Sequence, residues 1–382
     1  MLARLTPFAA FALLAACNAP ESRRAEAPAA PAAPARPMAG GLTRQAIESA
    51  AFTPPAPAQT APQTTPGQAT PGQATPGQTP PAGQTAPEVP ADGATPGTPA
   101  PPMPNAALIR AQIILDRSPY SPGAINGVDG DSMHHAIAAF EKANGLAVDG
   151  ELDAEVFARL TASDSRPVLA DYTISPQDLA GPFIGAVPEG TEAQSKLQAL
   201  GFANIKEALA EKFHMTEALL DALNPGVDLM RAGQTIVVPA IGSAPLAPVA
   251  RILVDKAAGT VSAFDAGDQL LAVFPATIGS SDRPAPSGDL KVVGVANEPD
   301  YTWDPTRLTY GKGKEKMVVA AGPNNPVGTV WIDLSRDTYG IHGTPDPELI
   351  GKTASHGCVR LTNWDAELLA AAVKPGVDVK FI

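Results

Sequence analysis

Between Asn18 and Pro104 this sequence lacks the means to build a core. Half of the chain's 42 prolines fall there, among Ala, Thr, Gln and Gly, and residues 65 to 78 run through three copies of Thr-Pro-Gly-Gln. Each proline removes a backbone donor, and too little apolar surface is present to offset the entropy of ordering the chain. The segment 18–104 is predicted to be a disordered, partly polyproline linker. It would reach from ~50 Å as a flexible coil to well over ~200 Å if extended. One interruption, Leu42 to Phe52, has weak helical spacing and no proline, and reads as a chance pattern rather than a partner-binding turn. Folding is therefore confined to what lies beyond Pro104.

The first 17 residues are of another kind. One basic residue, Arg4, precedes the apolar run from Phe8 to Ala16, which is too short to cross a bilayer and is an export signal. It ends Leu14-Ala15-Ala16-Cys17, similar to the lipobox of bacterial lipoproteins, which implies that Cys17 is lipidated and that 1–17 is removed. An ordinary secretory peptide with an incidental cysteine is the alternative. In either case Cys358, the second of two cysteines, has no partner for a structural disulfide. The 39 acidic against 27 basic side chains and a pI near 4.9 argue against nucleic acid. With no phosphate-cradling glycine loop and no Cys/His cluster at zinc spacing, neither a cofactor nor a metal site is expected.

From Asn105 apolar residues recur at helical intervals: Ile109, Ile113, Ile114, Ile137, Phe140, Val156, Phe157 and Leu160, broken by a turn-rich stretch from Ser118 to Asp131. Three short helices are predicted over 105–161. This segment resembles the peptidoglycan-binding domain 1 family, in which a Gly-x-x-Asp-Gly turn precedes a helix and a stretch like Gly145-Leu-Ala-Val-Asp-Gly150 follows it. His134 and His135 are read as solvent-facing. Over 170–241 a strand at Asp171 to Ile174, a helix Glu192 to Glu211, a helix Thr216 to Leu223 and a strand Gln234 to Pro239 are predicted. Phe213 to Pro239 resembles the second half of a LysM module, a small α+β glycan binder, whereas Phe183 to Ala199 departs from it. A spacer that packs on its neighbour is the other reading.

Residues 250–382 read as a mainly-β domain. Short alternating runs at 251–255, 260–264, 270–277, 290–295, 318–319, 327–334, 339–342, 358–361 and 377–382, bounded by Gly, Pro, Asn and Asp, predict a β-sandwich or partly closed barrel. One helix follows from Asn363 to Val373, capped by Thr362 or Asn363. If Ser355 to Leu361 is extended, His356, Cys358 and Arg360 share one face and Val359 and Leu361 enter the core. Gly357 would let backbone amides approach an oxyanion, and the neighbouring imidazole and guanidinium favour a thiolate. Of the two histidines, His342 is the preferred base, since a cross-strand neighbour meets the ~3 Å requirement more easily than an i, i+2 residue ~6.5 Å along the strand. His356 then has a supporting role. No carboxylate lies near His342 in sequence, so a backbone carbonyl, that of Gly343, is expected to orient it. A zinc site from His342, His356 and Cys358 would lack a fourth ligand.

Those residues resemble the L,D-transpeptidase (YkuD-type) catalytic-domain family, whose signature is a histidine, a short loop and Ser/Thr-His-Gly-Cys. The likeness extends through TIGSSDRPAPSGDLKV, PDYTWDP, GPNNPVGTVWIDLS and YGIHGTPDPELIGKTASHGCVRLTNWDA. It implies Cys358 as nucleophile, His342 as acid/base and Arg360 in substrate contact, with Ser355 and Tyr339 as further substrate-binding candidates. The implied reaction forms 3-3 cross-links in peptidoglycan through a thioester on diaminopimelate stem peptides. L,D-carboxypeptidase action, lipoprotein tethering or a non-catalytic wall-anchoring role are the alternatives. Peptidoglycan stems and glycan strands are the expected partners, with a lipid anchor in the membrane. The expected location is the periplasm, at the outer rather than the inner membrane because Asn18, not aspartate, follows Cys17.

Overall fold

The computed structural model describes residues 42–53, 103–242, 244–280, 283–306, 315–353, 355 and 357–382. The leader with Cys17, and the linker apart from 42–53 and its last two residues, lie outside the described residues. Leu42 to Phe52 is not an idle interruption. It forms α1 (Arg44–Glu48), capped by the Thr43 hydroxyl, with Leu42 and Ile47 buried. The Glu48 carboxylate accepts from the amides of Val168 and Leu169 at 3.0 and 2.8 Å, Arg44 pairs with Asp171, and Arg110 Nη1 donates to Ala50 O at 2.9 Å. A short helix too weak to stand alone is thus held by tertiary contacts.

Three helices follow, α2 (Ala106–Asp116), α3 (Asp131–Asn144) and α4 (Ala154–Ser163). Asn105 and Asp153 accept from the first free amides of α2 and α4, and α3 stops at Gly145 in the left-handed region at φ 67°. Buried polar groups set the turns: Gln112 Oε1 accepts from Asn126 N and Gly127 N at 3.1 and 2.7 Å, and Glu141 from Asp149 N and Gly150 N at 3.1 and 2.9 Å. His134 bonds Asp129 at 2.8 Å, while half-buried His135 lies under the turn at Gly259, so neither projects freely into solvent.

Next come β1 (Leu169–Thr173), α5 (Thr191–Gln194), α6 (Ile205–Lys212), α7 (Glu217–Leu223) and β2 (Thr235–Pro239), with β1 and β2 paired antiparallel. The continuous helix expected over 192–211 is broken. Leu200 pairs instead with Ala321 and Asn324, a Cβ at Gly201 would meet Pro182 O at 2.8 Å, and Asn204 caps a new helix. The apolar residues of α1 to α4 and of the β1–β2 unit form one continuous core, running from Ile47 and Ile109 through Phe140 and Leu160 to Leu219 and Ile236.

The remaining elements are β3 (Arg251–Asp255), β4 (Thr260–Phe264), β5 (Leu270–Pro275), β6 (Thr277–Ile278), β7 (Gly288–Asn297), β8 (Tyr301–Trp303), β9 (Met317–Val319), β10 (Val330–Leu334), β11 (Gly340–His342), β12 (Val359–Arg360), α8 (Asn363–Ala372) and β13 (Asp378–Phe381). Among the described residues, nine strands join in the order β5-β4-β3-β13-β7-β10-β11-β12-β6. The two edge strands, β5 and β6, are separated by Ala276 alone, so the sheet must curl until its edges nearly meet. Ile252, Val254, Phe274, Ile332, Ile341, Val359, Leu361 and Leu369 fill the interior. Thr362 is the cap of α8, its hydroxyl accepting from Asp365 N at 3.2 Å. No helix among the described residues is long and apolar enough to cross a membrane.

The helical part docks on this sheet through its edge and through α8. Val273 N donates to Pro119 O at 2.7 Å and Val273 O accepts from Ser121 N at 3.0 Å, which gives the edge of β5 a partner. Ser121 Oγ bonds Asp365 Oδ2 at 2.9 Å, His214 stacks on Trp364 with centroids 4.7 Å apart, and Asn363 Nδ2 donates to Glu211 Oε1 at 2.8 Å.

Candidate active site

Parallel pairing of β11 with β12 aligns Ile341 with Val359 and His342 with Arg360, while β10 lays Trp331 opposite His342. Alternation then divides the residues between two faces. Ile341, Val359 and Leu361 enter the core with no exposure. Gly340, His342 and Arg360 take the other face, and the Trp331 indole stacks on the His342 ring at 5.4 Å and 22°. Cys358, in a bend just before β12, lies within reach of the Gly340 N–H and the Arg360 charge.

His342 Nδ1 lies 2.7 Å from Gly343 O. A carbonyl only accepts, so Nδ1 carries the proton and Nε2 keeps its lone pair. Burial drives the imidazole pKa down to about 4, against the Gly343 hydrogen bond, with the charge of Arg360 acting in the same direction as burial. The ring is neutral at pH 7. Cys358 Sγ is 3.6 Å from Thr338 O. Burial pushes its thiol pKa up, and the Gly340 N–H and the Arg360 charge pull it back only in part. The resting pair is therefore a neutral thiol and a neutral imidazole, not the thiolate that residue types alone suggest.

The cysteine loop is built by Ser355 and two glycines. Ser355, buried, accepts from Gly279 N at 2.6 Å and Gly357 N at 3.2 Å and donates to Cys358 O at 2.6 Å. That uses the full capacity of a hydroxyl, so Ser355 braces the loop instead of projecting toward a substrate. Gly357 adopts φ 114°, and a Cβ there would lie 3.0 Å from the Tyr339 ring. Its N–H is donated to Ser355 Oγ. Tyr339 is half-buried, with the Arg336 guanidinium 5.0 Å from its ring centroid. His356 lies outside the described residues.

Two residues at the site were not singled out as site residues by the sequence reading. Trp331 could have been found from strand alternation once its register with His342 was known. Asn363 was read as a possible helix cap; in fact it is buried, and its side-chain oxygen accepts from Thr344 N at 3.0 Å and Thr329 N at 3.2 Å.

Comparison with known proteins gives two family matches: residues 249–381 to the L,D-transpeptidase catalytic domain, and residues 104–160 to a putative peptidoglycan binding domain. A putative L,D-transpeptidase YkuD of Bacillus licheniformis is 31% identical over 175 residues, covering 45% of this chain and 90% of that protein. The probable L,D-transpeptidase ErfK/SrfK of Salmonella typhimurium is 34% identical over 184 residues, 46% of this chain and 59% of that one. Among solved structures, an L,D-transpeptidase from Xylanimonas cellulosilytica aligns with a TM-score of 0.33 at 16% identity, over 75% of this chain and all of that one.

Proposed function

The chain belongs to the L,D-transpeptidase catalytic-domain family, and from that premise we propose that it is a cysteine-dependent peptidoglycan L,D-transpeptidase acting on diaminopimelate stem peptides. The observation that carries this reading is the β11–β12 pairing, which sets Arg360 beside His342, with Cys358, the residue before Val359, in reach of the Gly340 N–H.

In the proposed reaction, His342 Nε2 takes the Cys358 proton as sulfur attacks the carbonyl of the stem's third residue. Deprotonation accompanies attack because the resting thiol is neutral. The tetrahedral adduct collapses, its C–N bond breaks, and the terminal D-Ala amine leaves with the proton held on His342. An acceptor amine then attacks the thioester and gives its proton to His342; the C–S bond breaks, and His342 passes that proton to the departing sulfur, which restores the thiol. Gly343 O keeps the imidazole in the tautomer these transfers need, and Arg360 stabilises negative charge on that face. Residues 105–161 would hold the enzyme on the wall. The 170–241 unit, in which α5, α6 and α7 lie between the paired strands β1 and β2, is proposed as a LysM-like glycan-binding module. Lipid on Cys17 and the 18–104 linker would anchor the folded part at the outer membrane within the periplasm.

The test incubates the protein with a diaminopimelate-containing disaccharide tetrapeptide and follows products by mass spectrometry. A dimer formed with loss of one D-Ala, and absent in Cys358→Ala, is the expected outcome. Tripeptide alone would identify a carboxypeptidase, and no product with retained wall binding would overturn the enzymatic reading.

A further inference from the structure

The carbonyl that holds His342 is itself held. Gly343 O and Thr344 N belong to one peptide unit, which is planar and moves as a piece. On its oxygen side it takes the His342 Nδ1 proton at 2.7 Å, and on its nitrogen side it donates to Asn363 Oδ1 at 3.0 Å. The orientation of the Asn363 amide is fixed by its surroundings. Its oxygen faces Thr344 N and Thr329 N, which can only donate. Its nitrogen faces Glu211 Oε1 at 2.8 Å and Pro323 O at 3.4 Å, which accept.

The backbone is shaped to admit this amide. A Cβ at Gly343 would lie 2.1 Å from Asn363 Oδ1 and one at Gly328 2.0 Å, so both positions require glycine. Asn363 opens α8, whereas Glu211 belongs to α6, outside the sheet that carries Cys358. A buried amide left without its acceptor would turn to find another, and the peptide unit it clamps would be free to rotate.

We propose that Asn363 is a positioning residue for His342 and that Glu211, supplied by the preceding unit, locks Asn363, so that the base is correctly held only when α6 is docked on α8. This rests on the reading of His342 as the acid/base group. In it the accessory unit is a structural part of the catalytic centre in addition to any role in wall binding.

The test uses the full chain and four variants: Asn363→Ala, Glu211→Ala, Glu211→Gln and, as a junction control away from the clamp, Ser121→Ala. Turnover of the disaccharide tetrapeptide is measured together with ¹⁵N NMR of histidine-labelled protein, in which the His342 Nδ1–H signal reports the tautomer without any need for turnover. Misplacing a general base lowers kcat while leaving KM in place. Asn363→Ala is expected to lose about a hundredfold in kcat and Glu211→Ala about tenfold, with the Nδ1–H signal broadened in both. Glu211→Gln, which still offers an acceptor oxygen, should recover most of the loss, and Ser121→Ala should keep the signal. An unchanged Nδ1–H signal in Glu211→Ala would overturn the proposal, as would equal losses in Glu211→Ala and Ser121→Ala. If even the wild-type chain shows no turnover, the functional reading fails, and the NMR comparison alone decides whether the clamp exists.

Discussion

A single methyl group at residue 357 tests how closely the site is built. Gly357→Ala would force a side chain into φ 114° and against the Tyr339 ring, a strain of about 1–3 kcal/mol. The loop would relax by moving Cys358, so acylation should fall by at least tenfold while the melting temperature drops by only a few degrees, measured by stopped-flow and thermal melt. His342 supplies a second prediction. With its pKa near 4, the ring stays an acceptor down to that pH, so the acid limb of the acylation rate should lie near pH 4 and not near 6.5. The unfolded chain binds the proton more readily, so this residue's contribution to stability is present above pH ~6.5 and is lost as pH falls toward 4. The cysteine and histidine were legible as candidates because their residue types announce the chemistry. Their protonation was not, because it follows from burial, which strand pairing creates.

The contact between α6 and α8 carries two carboxyls with the opposite sign. Burial raises Glu211 to about 7, opposed by its bond from Asn363, with Glu207 and Glu367 adding to the rise and His214 opposing it. Asp365 is likewise raised to about 7 by burial, against hydrogen bonds from Thr362 and Ser121, with His214 opposing and Asp116 reinforcing the rise. Both folded values exceed the unfolded ones, so the stabilisation is full below pH ~4 and is lost as pH rises through 7. The melting temperature should fall between pH 5 and pH 8 in the wild type, and the fall should shrink in Asp365→Asn, as followed by calorimetry. An unchanged slope would mean that these carboxyls are not the titrating groups. α8 and its Thr362 cap could be read from the chain. The break in the 192–211 helix could not, because Leu200 leaves the helical path to pair with Ala321, which is distant in sequence.

Over the whole molecule, the two N-terminal units share one core. Leu219→Ala in α7 should cost about 2–5 kcal/mol and lower hydrogen-exchange protection in α2 to α4 as well as in α6 and α7. Loss of protection confined to α6 and α7 would mean that the two units open independently. The same scale explains α1: eleven residues inside a proline-rich stretch fold because Ile47 and Glu48 find a seam between helices and sheet that only the assembled molecule offers.

By itself the sequence determined the period of most elements, the proline-rich composition of 18–104 and the residue types that make thiol chemistry possible, because these are local properties. Tertiary structure alone decided that Ser355 accepts from Gly357, that thiol and imidazole rest uncharged, and that Glu211 from another unit reaches Asn363 behind His342. Hydrogen-bond partners and desolvation depend on which distant segments close around a group, and no local pattern records that.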